Sequence, residues 1–367
     1  ASGTFLVLWI VLALSTAVTI SLFPTEIAVL IISACVILIV AFISPVAAVS
    51  SMLVLAPLRV LIATEAEFQL PLDIGQLCLS LVILTITINQ TYRVFQLKTF
   101  LYNVRHLFIV FLFLAIVILN GFVARSVTVW INEFLKWIQI ALLLTITVLL
   151  SKRAHWIWLV GAVIVAGASN ALIGIYQFFG GSGAIHLVIN DRYFRAFGTF
   201  GQPNPFGGFL GIITPIAIAI SASLFIRLYR HRPTILETLF TLMCAVCSII
   251  MLCGIIMSWS RGAWIGLVIA LAIMASAIPQ NLWKGLWFGS AASFLFISLW
   301  ISNTLPTSIT DRLQSSVDEF ISVRDVRGVD IDPSNYAVIE RLAHWQSALN
   351  MARSSPWLGV RFGNYET

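Results

Sequence analysis

Along most of the chain the apolar residues come in unbroken runs separated by short polar turns, and no stretch alternates with period two. The runs fall at approximately 4–22, 26–43, 46–63, 73–89, 107–123, 131–150, 155–178, 203–226, 234–257, 262–278 and 284–303. A bilayer core about 30 Å thick takes roughly 20 apolar residues per helix, which is the length of these runs. In lipid, only helices and closed barrels satisfy every backbone polar group, and barrel strands would alternate. The pattern therefore predicts an all-α fold, a polytopic transmembrane bundle of about eleven helices. The third run holds Pro57 and has Arg59 near its end, so a broken or re-entrant helix is expected there. Residues 91–106, with Arg93, Lys98 and Arg105 among apolar positions, read as an amphipathic helix on the membrane surface.

After residue 303 the pattern changes. Asp311, Arg312, Asp318, Glu319, Arg324, Asp325, Arg327, Asp330 and Asp332 gather in one polar segment. An amphipathic stretch follows, with Val338, Leu342, Trp345, Leu349 and Ala352 on one helical face. Asp332 and Pro333 suit an N-cap and the first helical position. The expected organisation is a bundle over 1–303 and an extracytoplasmic helical cap over 304–367. The cap's helix should cover 334–352 and rest its apolar face on the bundle.

Composition adds the exclusion of a soluble protein. Hydrophobic residues make up 60% of the chain and charged residues 10%, with mean hydropathy +1.00; soluble domains carry about a quarter charged residues. The net charge of +6 matters through its distribution. One set of alternate loops carries Arg93, Lys98, Arg105, Lys152, Arg153, Arg227, Arg230, Arg232 and Lys284, the other Arg59, Arg125, Arg192, Arg195 and Arg261. The positive-inside rule then puts the first set and the N-terminus in the cytoplasm, and 179–202 and the segment after 304 outside. The basic balance is read as membrane orientation, and no nucleic-acid partner is expected. The first run lacks a basic leader and cleavage site and reads as a retained span. A start at Ala1 and an end in mid-pattern at Thr367 create the expectation that the natural chain extends further.

Several chemistries find no support in the sequence. Cys35, Cys78, Cys244, Cys247 and Cys253 all lie in predicted spans, and the Cys244–Cys247 CxxC has no second pair to complete a zinc site. His106, His155, His186, His231 and His344 show no metal-binding spacing. No metal and no cofactor are expected. Glu26, Asp73, Glu133, Lys136 and Glu237 lie near predicted span ends, and Glu133 and Lys136, three apart, should neutralise each other. A proton-coupled carrier usually needs an acid near the membrane centre, and none stands out.

Three outward segments are rich in groups that could bind an anion. Arg195 precedes Gly198-Thr199-Phe200-Gly201-Gln202-Pro203-Asn204 at the start of a span. Unpaired N–H groups and the dipole favour anions at such a helix N-terminus; an arginine on lipid headgroups above a tight loop reads equally well. The second segment is Ser258-Trp259-Ser260-Arg261-Gly262-Ala263-Trp264, where interfacial anchoring by Trp and Arg competes with function. The third is Glu340-Arg341-Leu342-Ala343-His344-Trp345, where a solvated charged face is the plain alternative.

Taken in order, these segments resemble the O-antigen ligase/polymerase superfamily of bacterial envelope glycan enzymes. Ser355-Pro356-Trp357-Leu358-Gly359-Val360 followed by Phe362-Gly363-Asn364 adds to the likeness, which covers about 155 to the end. The resemblance implies an enzyme of the cytoplasmic membrane. It would move glycan from a polyprenyl-diphosphate (undecaprenyl-type) donor to a glycan or lipid acceptor at the outer face, by metal-independent, inverting transfer. Arg195, Arg261 and Arg341 would form the catalytic diphosphate clamp, with Gly198, Asn204 and Trp345 binding substrate. Membrane lipids complete the expected partners. The resemblance also implies a His base in a His-Asn pair beyond the Gly-Asn stretch, a point the sequence does not reach. Arg361 stands where the family usually has glycine, and Ser355 where His is common. Two alternatives stay open at this point. One is a small-anion transporter of the bicarbonate type; the other is a catalytically silent accessory subunit of a larger membrane complex.

Overall fold

The computed structural model describes Cys35, Ile39, 44–58, 74–91, 105–122, 126–150, 156–181, 187–189, 192–230, 234–277, 281–302, Gly328, 336–356 and Val360. Its helices are α1 (Pro45–Leu55), α2 (Ile74–Thr91), α3 (Phe108–Gly121), α4 (Val127–Leu150) and α5 (Trp156–Phe178). After a two-stranded hairpin, β1 (Val188–Ile189) and β2 (Tyr193–Phe194), come α6 (Pro203–Arg230), α7 (Ile235–Met257), α8 (Arg261–Ala277), α9 (Leu282–Ile301) and α10 (Tyr336–Ser354). Helices thus stand at nine of the eleven expected positions; the first two runs lie outside the described residues apart from Cys35 and Ile39. Among the described residues α4, α5, α6 and α7 are long and apolar enough to cross a membrane. The shorter α1 gives way to a 3-10 turn at Ala56–Leu58, around Pro57, as the broken third run suggested. The expected surface helix lies outside the described residues except for a 3-10 turn at Arg105–Leu107.

The chain divides into two compact units, the first Ala1–Phe95 with Leu150–Ser293, the second Gln96–Leu149 with Phe294–Thr367. In the first unit α5 is central. Its Ala162, Ala166, Gly167, Ala168, Ala171 and Gly174 are buried, and α1, α6 and α7 pack around it. Small residues let membrane helices approach closely enough for dispersion forces to hold them. At Gly254 of α7 an added Cβ would lie 2.9 Å from Leu210 of α6 and 3.0 Å from Ala171 of α5. Three helices meet there with no room for a side chain.

Polar residues are buried among the apolar ones here, while many large apolar side chains face outward. Asn170, Gln177, Thr214, Ser221, Thr241 and Ser248 are buried, while α6 and α7 expose Ile212, Phe225, Leu239, Met243 and Ile249. Buried hydroxyls return hydrogen bonds to their own helix, as in Thr214 Oγ1 to the Leu210 carbonyl at 2.7 Å. Ser221 and Ser248 also meet across α6 and α7 at 3.3 Å. Apolar faces this extensive suit lipid. Helix α6 has 28 residues, about 42 Å at ~1.5 Å per residue, enough to cross the core and both headgroup layers. At its far end Arg227 pairs with Glu237 at 3.3 Å, and Glu237 also closes a capping box with Thr234 at the start of α7.

These two ends provide a test of topology. In a background without the native cysteines, Val188→Cys should react with an impermeant thiol reagent added outside, and Tyr229→Cys should not. Both positions are open, at 40% and 94% exposure. Reaction at both would contradict a single crossing by α6.

In the second unit α3 and α4 form a hairpin. Trp130 donates its ring N–H to the Val117 carbonyl at 3.0 Å, and Phe113 meets Trp137 edge to face at 4.8 Å. Glu133 and Lys136 form the ion pair that their spacing suggested. Helix α10 occupies most of the expected 334–352, but its covered side differs. Ile339 is buried and Leu342, Ala343 and Gln346 are half-buried, whereas Trp345 and Leu349 are 50% and 58% exposed. The covered stripe runs i, i+3, i+4, i+7 from Ile339. The face expected from Val338 is rotated because Leu342 fits both stripes, and periodicity alone could not choose between them. The polar segment 304–335, apart from Gly328, lies outside the described residues, as does most of the stretch from Trp357 to Asn364.

Candidate functional site at one end of the first unit

The end of α5, the start of α6, the end of α7 and the start of α8 come together at one end of the first unit. A three-residue reversal, Ser258-Trp259-Ser260, joins α7 to α8. The Ser258 hydroxyl donates to the Ile255 carbonyl at 2.6 Å and accepts from the Ser260 N–H at 3.2 Å. Trp259 has φ of 54°, a left-handed conformation that costs a bulky residue about 1–2 kcal/mol. Its ring lies edge to face on Trp264, 5.4 Å between centroids. Trp264 is held in turn by its ring N–H to the Ile255 carbonyl at 3.0 Å. A strained residue fixed from both sides, at the foot of the helix that begins with Arg261, is a common feature of functional sites.

Arg195 reaches this reversal from the loop before α6. Its Nε donates to the Ser258 carbonyl at 3.2 Å. Its Nη2 lies 3.4 Å from both the Trp259 carbonyl and Asn204 Oδ1, contacts at the weak end of the hydrogen-bond range. Asn204 Oδ1 also accepts from the Ser260 hydroxyl at 3.0 Å. One asparagine on the first turn of α6 thus links Arg195 to the residue before Arg261. The starts of α6 and α8 lie flush because Gly207 has no side chain: a Cβ there would sit 2.8 Å from Ala263 Cβ and 3.0 Å from Ser258 Oγ. Two helix N-termini, each with a partial positive charge, therefore stand beside Arg195. At Gly262, on the first turn of α8, an added Cβ would meet open space.

Gly198 shapes the loop. Its φ of +55° and a hypothetical Cβ 2.6 Å from Phe206 leave glycine the residue that fits. The hairpin before the loop stacks Tyr193 on Phe178 at 4.9 Å and sets Arg192 over the Tyr193 ring at 5.3 Å.

The structure therefore brings Arg195, Gly198, Asn204 and the segment leading into Arg261 together within one unit. Arg341 and Trp345 lie one turn apart on α10 in the other unit, and both side chains are exposed. Buried Asn170 and Gln177, which hold the loop after Arg195, escaped the reading of the sequence. The signal was there: two amides seven residues apart in an otherwise apolar span, with Gly174 between them. Among the described residues no three His, Cys, Asp or Glu side chains gather as a metal site.

No curated protein and no solved structure matches the chain. Residues 246–367 match the family model described as O-antigen ligase, a third of the chain that contains Arg261 and Arg341 and ends at Thr367. With its apolar helices and the ordered arginine segments, this match supports the O-antigen ligase/polymerase superfamily for this multi-pass membrane protein.

Proposed function

We propose that the protein transfers glycan from a polyprenyl-diphosphate donor to a glycan or lipid acceptor at the extracytoplasmic face of the bacterial cytoplasmic membrane. The observation that carries this reading is Arg195 seated on the carbonyls of Ser258 and Trp259, at the foot of the helix that Arg261 opens. An anion with several oxygens is the ligand such a place suits. Guanidinium forks bind phosphate oxygens in pairs, and the two adjoining helix N-termini add favourable dipoles. Arg341 lies within the matched family region, and on that likeness alone it is taken as a further phosphate-binding arginine.

In the reaction, the bond between the anomeric carbon and the diphosphate oxygen breaks, and its electron pair leaves with the diphosphate. The acceptor hydroxyl oxygen forms the new bond to that carbon, inverting it, and its proton passes to a general base. Negative charge grows on the leaving diphosphate, so cations already in place stabilise the transition state more than the ground state. Asn204 orients Arg195, Gly198 lets the loop approach, and the half-exposed Trp345 offers a flat apolar surface to a sugar ring.

The test is direct. The protein in lipid nanodiscs, given a polyprenyl-diphosphate-linked oligosaccharide and candidate glycan or lipid acceptors, should release polyprenyl diphosphate as it forms a new glycoside. Absence of both transfer and donor binding across those acceptors would overturn the reading.

A further inference from the structure

We infer that Gln177 and Asn170, two buried amides of α5, are positioning residues that hold the Arg195 loop in its working geometry. This inference rests on the proposed role of Arg195. The loop from Arg195 to Phe200 has little regular structure, yet each of its six N–H groups donates to a named acceptor. Arg195 donates to Leu187, Ala196 to Met257 and Phe200 to Phe197, all backbone carbonyls. The three N–H groups between them go to side chains of α5. Gln177 Oε1 accepts from Phe197 at 3.1 Å and from Gly198 at 2.7 Å, and Asn170 Oδ1 accepts from Thr199 at 3.3 Å.

The rest of each amide is also engaged. Gln177 Nε2 donates to the Gly198 carbonyl at 2.8 Å, and Asn170 Nδ2 to the Ala166 carbonyl at 3.0 Å. The Thr199 hydroxyl lies 2.6 Å from both Asn170 Oδ1 and the Pro57 carbonyl, which ties the loop to the turn after α1. Gln177 faces two donors with its oxygen and one acceptor with its nitrogen, so only one orientation of its amide fits. Both side chains are almost fully buried, at 4% and 2% exposure. Polar groups so deep in an apolar helix are expensive unless partnered, and here each amide oxygen and each amide nitrogen has at least one partner.

What they secure is the backbone immediately after the arginine. With 197–199 fastened to α5 and Ala196 to the end of α7, Arg195 has little freedom to leave the carbonyls of Ser258 and Trp259. Active sites gain rate from cations that need no reorganisation as charge develops. A loop held by its neighbours' backbones alone would follow their motions; amides from the central helix tie it to the most enclosed part of the unit.

Gln177→Leu and Gln177→Glu test this in the full chain in nanodiscs, using the transfer assay with Arg195→Lys as a parallel arm. Gln177→Leu strands three backbone groups and should reduce transfer at least ~10-fold, on the scale of a misplaced catalytic group. Gln177→Glu keeps folding separable from function. When protonated, the introduced carboxyl accepts from two N–H groups and donates to the Gly198 carbonyl, as the amide does. When ionised, it sets an acceptor against that carbonyl. Relative to wild type, transfer by Gln177→Glu should therefore be preserved at low pH and fall as pH rises, with the protein folded throughout. If Arg195→Lys is impaired but both Gln177 variants transfer at the wild-type rate at every pH, the positioning inference fails alone. If Arg195→Lys itself transfers normally, the role given to Arg195 fails, and the positioning inference with it.

Discussion

Arg195→Lys is expected to lower glycan transfer by roughly 100-fold or more, the scale seen when one preorganised donor to developing negative charge is removed. The positive charge survives this substitution, so long-range attraction for the diphosphate should change little. What is lost is the planar fork. In the native protein Nε is fixed on the Ser258 carbonyl at 3.2 Å, which aims the rest of the guanidinium. A lysine ammonium has three rotating donors and no second nitrogen to brace. Arg261→Lys and Arg341→Lys should show losses of the same order, measured as initial rates at saturating donor with folding checked by thermal melting. An arginine that serves only to anchor the chain on headgroups would be replaced by lysine without penalty. Wild-type rates in all three variants would leave the proposed clamp without support.

Gly198→Ala should lower stability by about 2–5 kcal/mol, combining ~1–2 for a side chain held in the left-handed region with ~1–3 for overpacking. The new methyl would lie 2.6 Å and 2.7 Å from two ring carbons of Phe206, and that ring is fully buried. It cannot swing away. Gly208→Ala is the control, because a Cβ there meets nothing within 4 Å and alanine favours the helix by roughly 0.5–1 kcal/mol. Thermal unfolding in a fixed detergent compares the two directly. Adding Phe206→Leu to Gly198→Ala should recover the steric part and leave the backbone strain. Equal melting temperatures for Gly198→Ala and wild type would show that the loop is not held as described.

Much of the helical framework was legible in the apolar runs. A run of about 20 residues reports a helix because lipid thickness sets one length and the backbone must satisfy itself within each segment. Neither constraint depends on which helix packs against which. The interruption at Pro57 was readable for the same reason, since proline's missing N–H acts locally. So was the Glu133–Lys136 pair, which needs only the three-residue spacing of one helix. The segments of Arg195 and Arg261 could be singled out because arginine near Gly, Pro or Asn at a span boundary is a local, compositional signal.

The partners of those arginines were not legible. Arg195 meets the carbonyls of Ser258 and Trp259 because Gly207 lets α6 lie flush on the 258–263 segment, a contact between positions far apart in the chain. The face of α10 shows the limit of periodicity, since Leu342 belongs to two stripes and only packing selected the one through Ile339. Asn170 and Gln177 show the same limit from the other side. Their presence in an apolar span was visible, but their purpose depends on the rotation of α5 and on a loop brought over its end. Which of the described segments are helices, and where cations collect, could be read along the chain, because lipid thickness, backbone hydrogen bonding and proline act within a segment. Which carbonyls receive Arg195 and which amides hold its loop could not, because those distances depend on how neighbouring helices turn and close on one another.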